Sequence, residues 1–432
     1  MTLVSSFGEL IQPLAALMTS PSFESWQILL CGWVFAARRT VTGMITAARA
    51  VGKKHHSAFH RLFAAARWSR DELGLAVLGL LLPWLGEGPI RLAVDDTLAR
   101  KRGLKIFGVG MHHDPLLSSR KKAITNWGHS WVVLGVIVTF PLWPDRPFCL
   151  PILFRLYLNK KAAPKSRRVY RTRPELAVEM LRLVCRWQPA RRFHLLADSA
   201  YGGQSVLNQL PANCDLTSRL LLNARLYTAA PPWRPGTPGR PRKHGFRLPT
   251  PEAMLATRAR RVTLAIYGRR DQVRLCDTVA YVYAAPQRPL RVVAVEPLTG
   301  GRPRQAFYST CHEAAAEDVL TGYALRWSVE VAFHDSKGSL GFEEPQGWTR
   351  RAVERTAPVA MLLYSLIVLW FVREGHRHYR APDRPWYRTQ RHASFADMLQ
   401  TLRQASLREH LFAQATSGRG YEKLLEYLQI AA

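Results

Sequence analysis

The chain has 432 residues, of which 47% are hydrophobic, and its 61 lysines and arginines against 31 acidic residues give a formal net charge of +30. This length and apolar content exclude a disordered chain and predict two or three domains. The excess of positive charge indicates a polyanionic partner, most simply DNA, and the six scattered cysteines exclude a disulfide framework and a zinc ribbon.

Two features predict a protein of the cytoplasm with no membrane association. The N-terminus MTLVSSFGELIQPL lacks the basic start and the apolar centre of a signal peptide. The apolar run from Ala357 to Val372 contains Pro358 and is shorter than the ~20 residues that span a bilayer, so it predicts a buried core helix. A basic membrane-surface protein is the alternative, and it would need amphipathic helices or a lipid signal that the sequence does not clearly offer.

Residues 1–85 predict helices. Between 40 and 67, apolar positions recur at helical spacing, Gly52 interrupts them, and basic residues crowd the second half, among them Lys53, Lys54 and Arg61. Two short helices with a basic second member are typical of helix-turn-helix DNA binding, whereas a plain helical bundle with solvated charges is the alternative. We therefore expect a helical DNA-binding domain at 1–85.

Three strands are predicted next, at 91–97 (RLAVDDT), 105–110 (KIFGVG) and 127–140 (WGHSWVVLGVIVTF). The first delivers Asp95 and Asp96 at the end of an apolar run. The segment HLLADSAYGG delivers Asp198 in the same manner, after a basic loop at 158–173 and a helix at 174–187. The loop predicts a phosphate-contacting surface, with a solvated linker as the alternative. An apolar strand that ends in an acid is how an α/β sheet presents ligands at its carboxyl edge.

A strand at 214–222 is predicted to complete a five-stranded core, and an insertion of different character follows it. Residues 228–249 are rich in Pro, Gly and Arg and predict irregular structure, in which the basic segment 240–247 could follow DNA through Arg240, Arg242 and Lys243. Four runs that alternate with turn signals then predict a mostly β insertion; they lie at 261–267, 272–283, 290–296 and 306–310.

The segment YALRWSVEVAFHDSK places Tyr323, Arg326, Glu330 and Lys337 at offsets of three, seven and fourteen residues. In a helix of ~100° per residue, these offsets bring the four side chains into one stripe about 60° wide. A carboxylate among cations suits a metal ion that holds a phosphodiester. The alternative is an exposed helix face with ion pairs, and the two strands that end in acids favour the metal site.

The chain resembles DDE transposases of bacterial insertion sequences. Their third acid lies in a Tyr-x2-Arg-x3-Glu-x6-Lys signature, which this chain reproduces without a gap after VDDT and ADSAYG in the same order, over about 91–345. The resemblance implies an α/β fold: an RNase H-like mixed five-stranded sheet with helices on both faces, interrupted by the β insertion. The implied domains are a helical DNA-binding region at 1–85, the core at 86–226 and 312–375, the insertion at 227–311 and a helical C-terminal region at 376–432.

The resemblance also implies the chemistry. Asp95, Asp198 and Glu330 would hold two Mg²⁺ ions, for which Mn²⁺ would substitute, while Tyr323, Arg326 and Lys337 would contact the DNA backbone. Asp95 is preferred to Asp96 because the family places Ser or Thr two residues after the acid, here Thr97, and because alternation puts the two aspartates on opposite faces of the strand.

The implied function is cut-and-paste transposition in the bacterial cytoplasm, close to the nucleoid. A homodimer would pair two terminal inverted repeats of double-stranded DNA, cleave the transposon ends and join their 3′-OH groups to target DNA. Two alternatives remain open: an RNase H-like nuclease or junction resolvase that cuts without joining, and a catalytically inactive DNA-binding repressor. Intact acids argue against the repressor, and inverted repeats beside the coding sequence would separate transposase from nuclease.

Overall fold

The computed structural model describes residues 1–119, 121–233, 240–266, 268–299, 301–381 and 392–415. The helices, in chain order, are α1 (Ser5–Ile11), α2 (Ser20–Phe35), α3 (Val41–Ala47), α4 (His56–Ala64), α5 (Arg70–Leu81), α6 (Ala162–Lys165), α7 (Arg173–Trp187), α8 (Gln204–Leu207), α9 (Pro251–Arg258), α10 (Ala316–Ala324), α11 (Ser328–Leu340), α12 (Arg350–Arg373) and α13 (Phe395–Ala415). The strands are β1 (Ile90–Arg100), β2 (Gly110–His113), β3 (Thr125–Thr139), β4 (Pro147–Tyr157), β5 (Phe193–Ala197), β6 (Cys214–Leu220), β7 (Leu226–Tyr227), β8 (Arg247–Leu248), β9 (Arg260–Ile266), β10 (Arg269–Val282), β11 (Ala285–Pro297) and β12 (Gln305–Ser309).

The N-terminal region is helical, as the sequence predicts, and the helix pair expected at 40–67 is α3 and α4. Local capping fixes where these helices begin. The hydroxyl of Thr40 accepts a hydrogen bond from the Gly43 amide at 3.1 Å at the start of α3, and Ser69 accepts from Glu72 at 3.3 Å at the start of α5. Helices α1, α4 and α5 pack against α12, so the N-terminal region shares a core with the rest of the chain.

Strand β1 lies at the centre of the group of strands β4, β3, β1, β5 and β6. Strand β3 pairs antiparallel with β1 and β4 antiparallel with β3, whereas β5 lies parallel to β1 and β6 parallel to β5. This arrangement places the carboxyl ends of β1, β5 and β6 at one edge. The predicted strands at 91–97, 127–140 and 214–222 and the predicted helix at 174–187 are all present, within a few residues at each end.

One predicted strand is wrong, and one long strand escaped prediction in addition to the short strands β2, β7 and β8. Residues 105–109 form turns and only Gly110 belongs to β2, because a segment with two glycines and two charges nearby closes a turn more readily than a ladder. The long missed strand is β4, whose PFCLPILFRLY is buried along most of its length and so shows no polar alternation. Its Pro151 lies where the register with β3 shifts, at the type of irregularity that tolerates proline in a sheet.

The four predicted strands of the insertion are confirmed as β9, β10, β11 and β12. The prediction of a five-stranded sheet is wrong, because β12 pairs with β6 and the order runs on without a break through β11, β10, β7 and β8, with β9 on β10. The outer edge of β6 would otherwise leave its backbone groups unpaired. A second small core, which includes Leu275, Val293 and Phe307, lies between these strands and α10.

Helix α12 confirms the predicted core helix at 357–372. Its length and apolar composition alone would suffice to span a membrane, yet 94% of its most apolar stretch is buried inside the protein. Pro358 lies within the helix. The predicted helical C-terminus is present as α13, while 382–391 and 416–432 lie outside the described residues, as do 234–239 of the predicted irregular segment.

Candidate active site

The parallel pair β1 and β5 brings the first two predicted acids together. Their register sets Val94 opposite Ala197, and the next residue on each chain is an acid, Asp95 on β1 and Asp198 just beyond β5. Neighbouring strands lie ~4.8 Å apart, so the two carboxyl groups leave the sheet at adjacent points. A turn fixes Asp198, since its Oδ1 accepts hydrogen bonds from the amides of Ala200 at 2.9 Å and Tyr201 at 3.3 Å.

Asp95 and Asp96 have different partners, in keeping with the alternation of side chains along a strand. Asp96 accepts a hydrogen bond from the Tyr201 hydroxyl at 2.9 Å and pairs with the Arg173 guanidinium at 3.1 Å. Asp95 accepts instead from Arg326, whose Nη1 lies 2.8 Å from Oδ2. The Ser130 hydroxyl also donates to Asp96 at 3.4 Å, so Asp96 is held by three other side chains, and Asp95 is the acid that faces Arg326. Its role as a metal ligand stays a prediction.

Arg326 connects the first and third acids. Its Nη1 contacts Asp95, and its Nη2 lies 3.0 Å from Oε1 of Glu330 in the first turn of α11. The Arg326 side chain is 13% exposed and that of Asp95 is 17% exposed, so the pair is largely shielded from solvent. One guanidinium therefore brings together Asp95 and Glu330, which are more than two hundred residues apart in the sequence.

Burial raises the pKa of Asp95 to about 7, and the negative charges of Asp198 and Asp96 add to the effect, whereas Arg326 opposes it. The proximity of several carboxylates is costly unless cations neutralise them. At Asp95, Arg326 does not offset the effect of burial.

The predicted single helix through Tyr323 and Lys337 is wrong. Helix α10 ends at Ala324, a 3₁₀ turn spans Leu325–Trp327, and α11 then begins. A 3₁₀ turn advances ~120° per residue, so it rotates the residues before it away from the common stripe. Tyr323 nevertheless stays beside Arg326, whose Cζ lies 5.8 Å from the centre of the tyrosine ring.

The hydroxyl of Tyr323 is buried and meets no hydrogen-bond partner among the residues that the structure describes. Its ring packs on Phe307 with centroids 4.6 Å apart, and burial raises its pKa. A buried phenol without a partner is an uncommon arrangement that costs free energy. It leaves a donor available beside Arg326 for an incoming ligand.

The structure separates Lys337 from the acids. It lies seven residues beyond Glu330, about 10 Å along α11. Burial lowers its pKa, while its charged neighbours are Glu343, Arg100 and Asp114. The sequence pattern therefore correctly predicts that Tyr323 lies beside Arg326, but it does not predict the distance of Lys337 from Glu330.

The remaining predicted DNA contacts lie elsewhere on the molecule. Lys53 is exposed just before α4 and Arg61 is exposed within it, whereas Lys54 pairs with Glu24 at 2.5 Å. The exposed residues beside β8 at the far end of the sheet are Arg240, Arg242 and Lys243. Strand β8 is seven strand positions from β1, about 34 Å at the usual spacing. These two basic groups do not join the acids in one site.

Residues 14–279 match the family described as DDE superfamily endonuclease. The chain belongs to this family. It is 27% identical over 198 residues to a probable transposase for insertion sequence element IS701 of Microchaete diplosiphon. That alignment covers 44% of this chain and 48% of the relative, so it spans about half of the relative's length. The fold is also similar to a piggyBac transposase in a synaptic complex with hairpin DNA, with a TM-score of 0.41, 12% identity and coverage of 90% of this chain and 70% of that one.

DDE endonucleases generally use divalent metal ions. In this endonuclease, no group of three or more His, Cys, Asp or Glu side chains within the described part of the chain is arranged to hold one. Arg326 lies between Asp95 and Glu330 and takes up an oxygen of each. The donor set still fits, because carboxylate oxygens are the ligands that Mg²⁺ prefers and Asp95 and Asp198 leave adjacent strands at the same edge of the sheet.

Sequence reasoning missed two residues that support the site of this endonuclease. Arg173 and Tyr201 hold Asp96, and the Arg173 guanidinium also lies over the Tyr157 ring at 4.3 Å. Arg173 follows Thr172 at the start of α7, where a capping box is visible in the sequence. That signal predicts the helix start but gives no partner for Arg173, since the pairing depends on how α7 lies against β3.

Proposed function

We propose that this DDE endonuclease is a transposase that cleaves DNA at the ends of a transposable element and joins the 3′-OH ends to target DNA. Two observations carry the proposal: Asp95 and Asp198 leave adjacent parallel strands at one edge of the sheet, and Arg326 links Asp95 to Glu330. The similarity of almost half of the chain to an insertion-sequence transposase supports transposition as the outcome of cleavage.

The strand arrangement supports an RNase H-like core within the larger sheet. In the order β4, β3, β1, β5 and β6, β3 is antiparallel to both of its neighbours, and the last two strands are parallel to β1. The acids then leave β1, β5 and α11, elements that converge because α11 packs on β1 and β4. We propose this five-stranded unit as the catalytic core, to which the insertion adds its strands.

In this proposal, Asp95, Asp198 and Glu330 would hold two divalent metal ions, Mg²⁺ or Mn²⁺. Such ions supply a Lewis acid for the phosphodiester and a water molecule acidic enough to attack it. The chain's own contribution is to fix the carboxylates. The turn at Asp198 and the contacts of Asp96 hold two of the elements in position before substrate arrives.

Arg326 has a second role in the proposal. A guanidinium pairs bidentately with phosphate as well as with carboxylate, so a backbone phosphate can take over the hydrogen bonds that Arg326 now donates to Asp95 and Glu330. The buried hydroxyl of Tyr323 would donate to the same phosphate. Binding of DNA would in this way free the carboxylate oxygens that a metal ion needs.

The proposed partners are duplex DNA with terminal inverted repeats, target DNA and a second copy of the chain in the paired-end complex, in the bacterial cytoplasm. The net charge of +30 supports a polyanionic substrate. Lys337 and the basic groups near α4 and β8 are proposed to contact DNA outside the cleavage point.

The test is a cleavage assay on transposon-end duplexes with the variants Asp95→Ala, Asp198→Ala and Glu330→Ala. Each should abolish strand cleavage and leave end binding largely intact, because loss of a ligand removes the metal and not the distant DNA contacts. Asp145→Ala is the matched control, since Asp145 is an exposed acid remote from the site. Cleavage at near wild-type rate by the Asp198 variant would defeat the assignment.

A strand-transfer assay with pre-cleaved ends extends this test. Joining of the 3′-OH to a target duplex is expected from the wild-type chain and from the Asp145 variant, and from none of the three site variants. Cleavage without joining would identify a nuclease instead.

A further inference from the structure

Two adjoining clefts open where α5, the start of α12 and the loop before α7 meet. The first, of about 620 Å³, is lined by Arg70, Arg350, Arg351 and Arg355, and the second, of about 350 Å³, by Arg155, Arg168 and Arg171. Arg70 and Glu354 line both. We call the two together the arginine cleft.

The acids of the arginine cleft do not balance its cations. Seven arginines line it, against the three carboxylates of Asp71, Glu179 and Glu354. Glu354 is shared by three guanidiniums, at 3.8 Å from Arg70, 3.7 Å from Arg168 and 3.5 Å from Arg350. Charge-assisted bonds are usually ~2.7–2.9 Å long, so none of the three is fully engaged by this carboxylate.

Some of the arginines form a rigid frame. Arg355 donates to the backbone carbonyls of Phe63, Ala66 and Trp68 and lies over the Trp68 ring at 4.5 Å. Arg155 is 8% exposed and makes close ion pairs with two acids. Their positions are therefore set by the fold, at little further cost in side-chain entropy.

Other arginines remain available to a ligand. Arg168, Arg350 and Arg351 are exposed, and Arg351 makes no ion pair with any residue in the described ranges. A guanidinium has two parallel N–H donors that match the geometry of a phosphate, whereas a lysine ammonium has no such pair. The surplus of such groups in one concave surface indicates phosphate as the ligand.

The arginine cleft is continuous with the candidate active site along the chain. Arg171 lines it, and two residues later Arg173 pairs with Asp96, the neighbour of Asp95. Cations thus extend from the catalytic edge of the sheet into the cleft. A duplex carries one phosphate per ~3.4 Å of each strand, so a backbone that passes Asp95 has further phosphates to place on this route.

We infer that the arginine cleft binds backbone phosphates of the DNA duplex that flanks the cleavage point. The inference rests on the proposed function in so far as DNA is the substrate. The contacts are made to phosphates and are therefore independent of base sequence. The cleft would fix the position of the duplex while the acids act on one of its bonds.

The experiment compares the double variant Arg168→Gln/Arg351→Gln with wild type by fluorescence anisotropy of a labelled duplex over a range of salt concentrations. Each lost phosphate contact lowers the slope of log K against log salt by about one, so we expect a slope shallower by about two. Affinity should fall by the same factor for transposon-end and scrambled duplexes.

The matched control is Arg91→Gln/Arg373→Gln, which removes the same charge from two exposed arginines outside the cleft, one at the amino-terminal end of β1 and the other at the far end of α12. Its slope should equal that of wild type. A slope unchanged in the cleft variant, or lowered equally in the control, would overturn the inference. Equal melting temperatures of the three proteins establish that the comparison is between folded molecules.

Inorganic phosphate distinguishes DNA from a small anion as the ligand. One outcome would be that millimolar phosphate protects the wild-type protein, but not the cleft variant, against thermal unfolding, while the salt dependence of duplex binding is the same for both. The cleft would then bind a free anion, and the assignment to DNA would fail. Failure of the proposed function is separate. It would appear as wild-type protein that neither binds nor cleaves end duplexes, whereas normal cleavage with an unchanged slope defeats only the inference about the cleft.

Discussion

At the scale of single residues, Arg326 joins two acids of the candidate site, Asp95 and Glu330. The guanidinium reaches oxygens from two elements that are distant in the chain, at 2.8 and 3.0 Å. Arg326 therefore fixes the position of Asp95 on β1 relative to Glu330 on α11. It also competes for the oxygen atoms that a metal ion would use, so the affinities for metal and DNA should be coupled.

The protonation of Asp95 should make metal binding depend on pH. Its pKa is raised to about 7, chiefly by burial, so the folded protein carries it protonated below that pH and ionised above it. A divalent ion needs the carboxylate form, and its affinity should therefore fall up to about tenfold for each pH unit below 7 and level off above it. Mn²⁺ titrations followed by electron paramagnetic resonance, with DNA absent, measure this.

The control for the pH experiment is Asp95→Asn, which should bind Mn²⁺ weakly and without a step near pH 7. Equal affinity of the wild-type protein at pH 5.5 and pH 8.5 would contradict the role of Asp95 as a ligand. A step in affinity that survives in the asparagine variant would assign it to another group.

Substitution of Arg326 separates its pairing with acids from its proposed grip on DNA. Arg326→Ala should reduce cleavage and weaken duplex binding with a salt slope shallower by about one, and Arg326→Lys should restore only part of the loss because lysine lacks the fork. Binding isotherms at several salt concentrations give the slope. Full cleavage by Arg326→Ala with an unchanged slope would mean that Arg326 only neutralises the acids.

At the scale of elements, the sequence predicts those features that depend on local pattern. Asp95 and Asp198 could be assigned to one edge because each ends an apolar run, and the insertion strands could be recognised by their alternation and turns. Tyr323 and Arg326 could be paired by spacing, because the 3₁₀ turn that contains Arg326 changes the angle between the two side chains but keeps them neighbours.

The features that escaped prediction depend on which element lies beside which. Alternation identifies β12 as a strand but does not name β6 as its partner, so the single continuous sheet could not be foreseen. Strand β4 is covered on both faces and has no alternation to detect. The link from Arg173 to Asp96 likewise arises only when α7 is placed on the sheet.

The contact of α5 with β4 gives a prediction about stability. A Cβ atom on Gly74 would lie 1.8 Å from the Ile152 carbonyl oxygen, so Gly74→Ala must push the helix from the strand and should cost about 1–3 kcal/mol or more. In the same helix, a Cβ on Gly79 would meet only the Trp187 ring at 3.6 Å. Gly79→Ala should then stabilise the protein by up to about 1 kcal/mol, since alanine favours the helix.

Urea unfolding of the two glycine variants measures both effects on one scale. The free energy of unfolding should fall in Gly74→Ala and rise in Gly79→Ala. If Gly74→Ala were as stable as Gly79→Ala, α5 would not lie directly on β4, and the shared core of the N-terminal helices and the sheet would be wrong.

At the scale of the whole molecule, the two ends of the described chain are joined. The Val4 amide donates to the Ser406 hydroxyl at 2.9 Å, and the Trp370 indole donates to Ser6 at 3.0 Å. The predicted DNA-binding region at 1–85 therefore rests on α12 and α13, and its removal would expose their buried apolar faces. Its role in recognition stays a prediction, best tested by surface substitutions in the intact chain.

The substitutions suited to this test are Lys53→Gln and Arg61→Gln, because both side chains are exposed, one just before α4 and the other within it, whereas Lys54 is held by Glu24. If α4 reads base edges, each lost contact should cost about 1–3 kcal/mol, so the double variant should lose about thirtyfold or more of its preference for the transposon end over a scrambled duplex. Competition binding with the two duplexes gives this ratio, with Arg91→Gln/Arg373→Gln as the control of equal charge. Equal weakening on both duplexes would show that α4 contacts phosphates only.

An unchanged preference with unchanged affinity would assign recognition to the insertion. Base readout requires donors in a groove, and the other exposed cations predicted to follow DNA lie there. The next residues to replace would then be Arg240, Arg242 and Lys243.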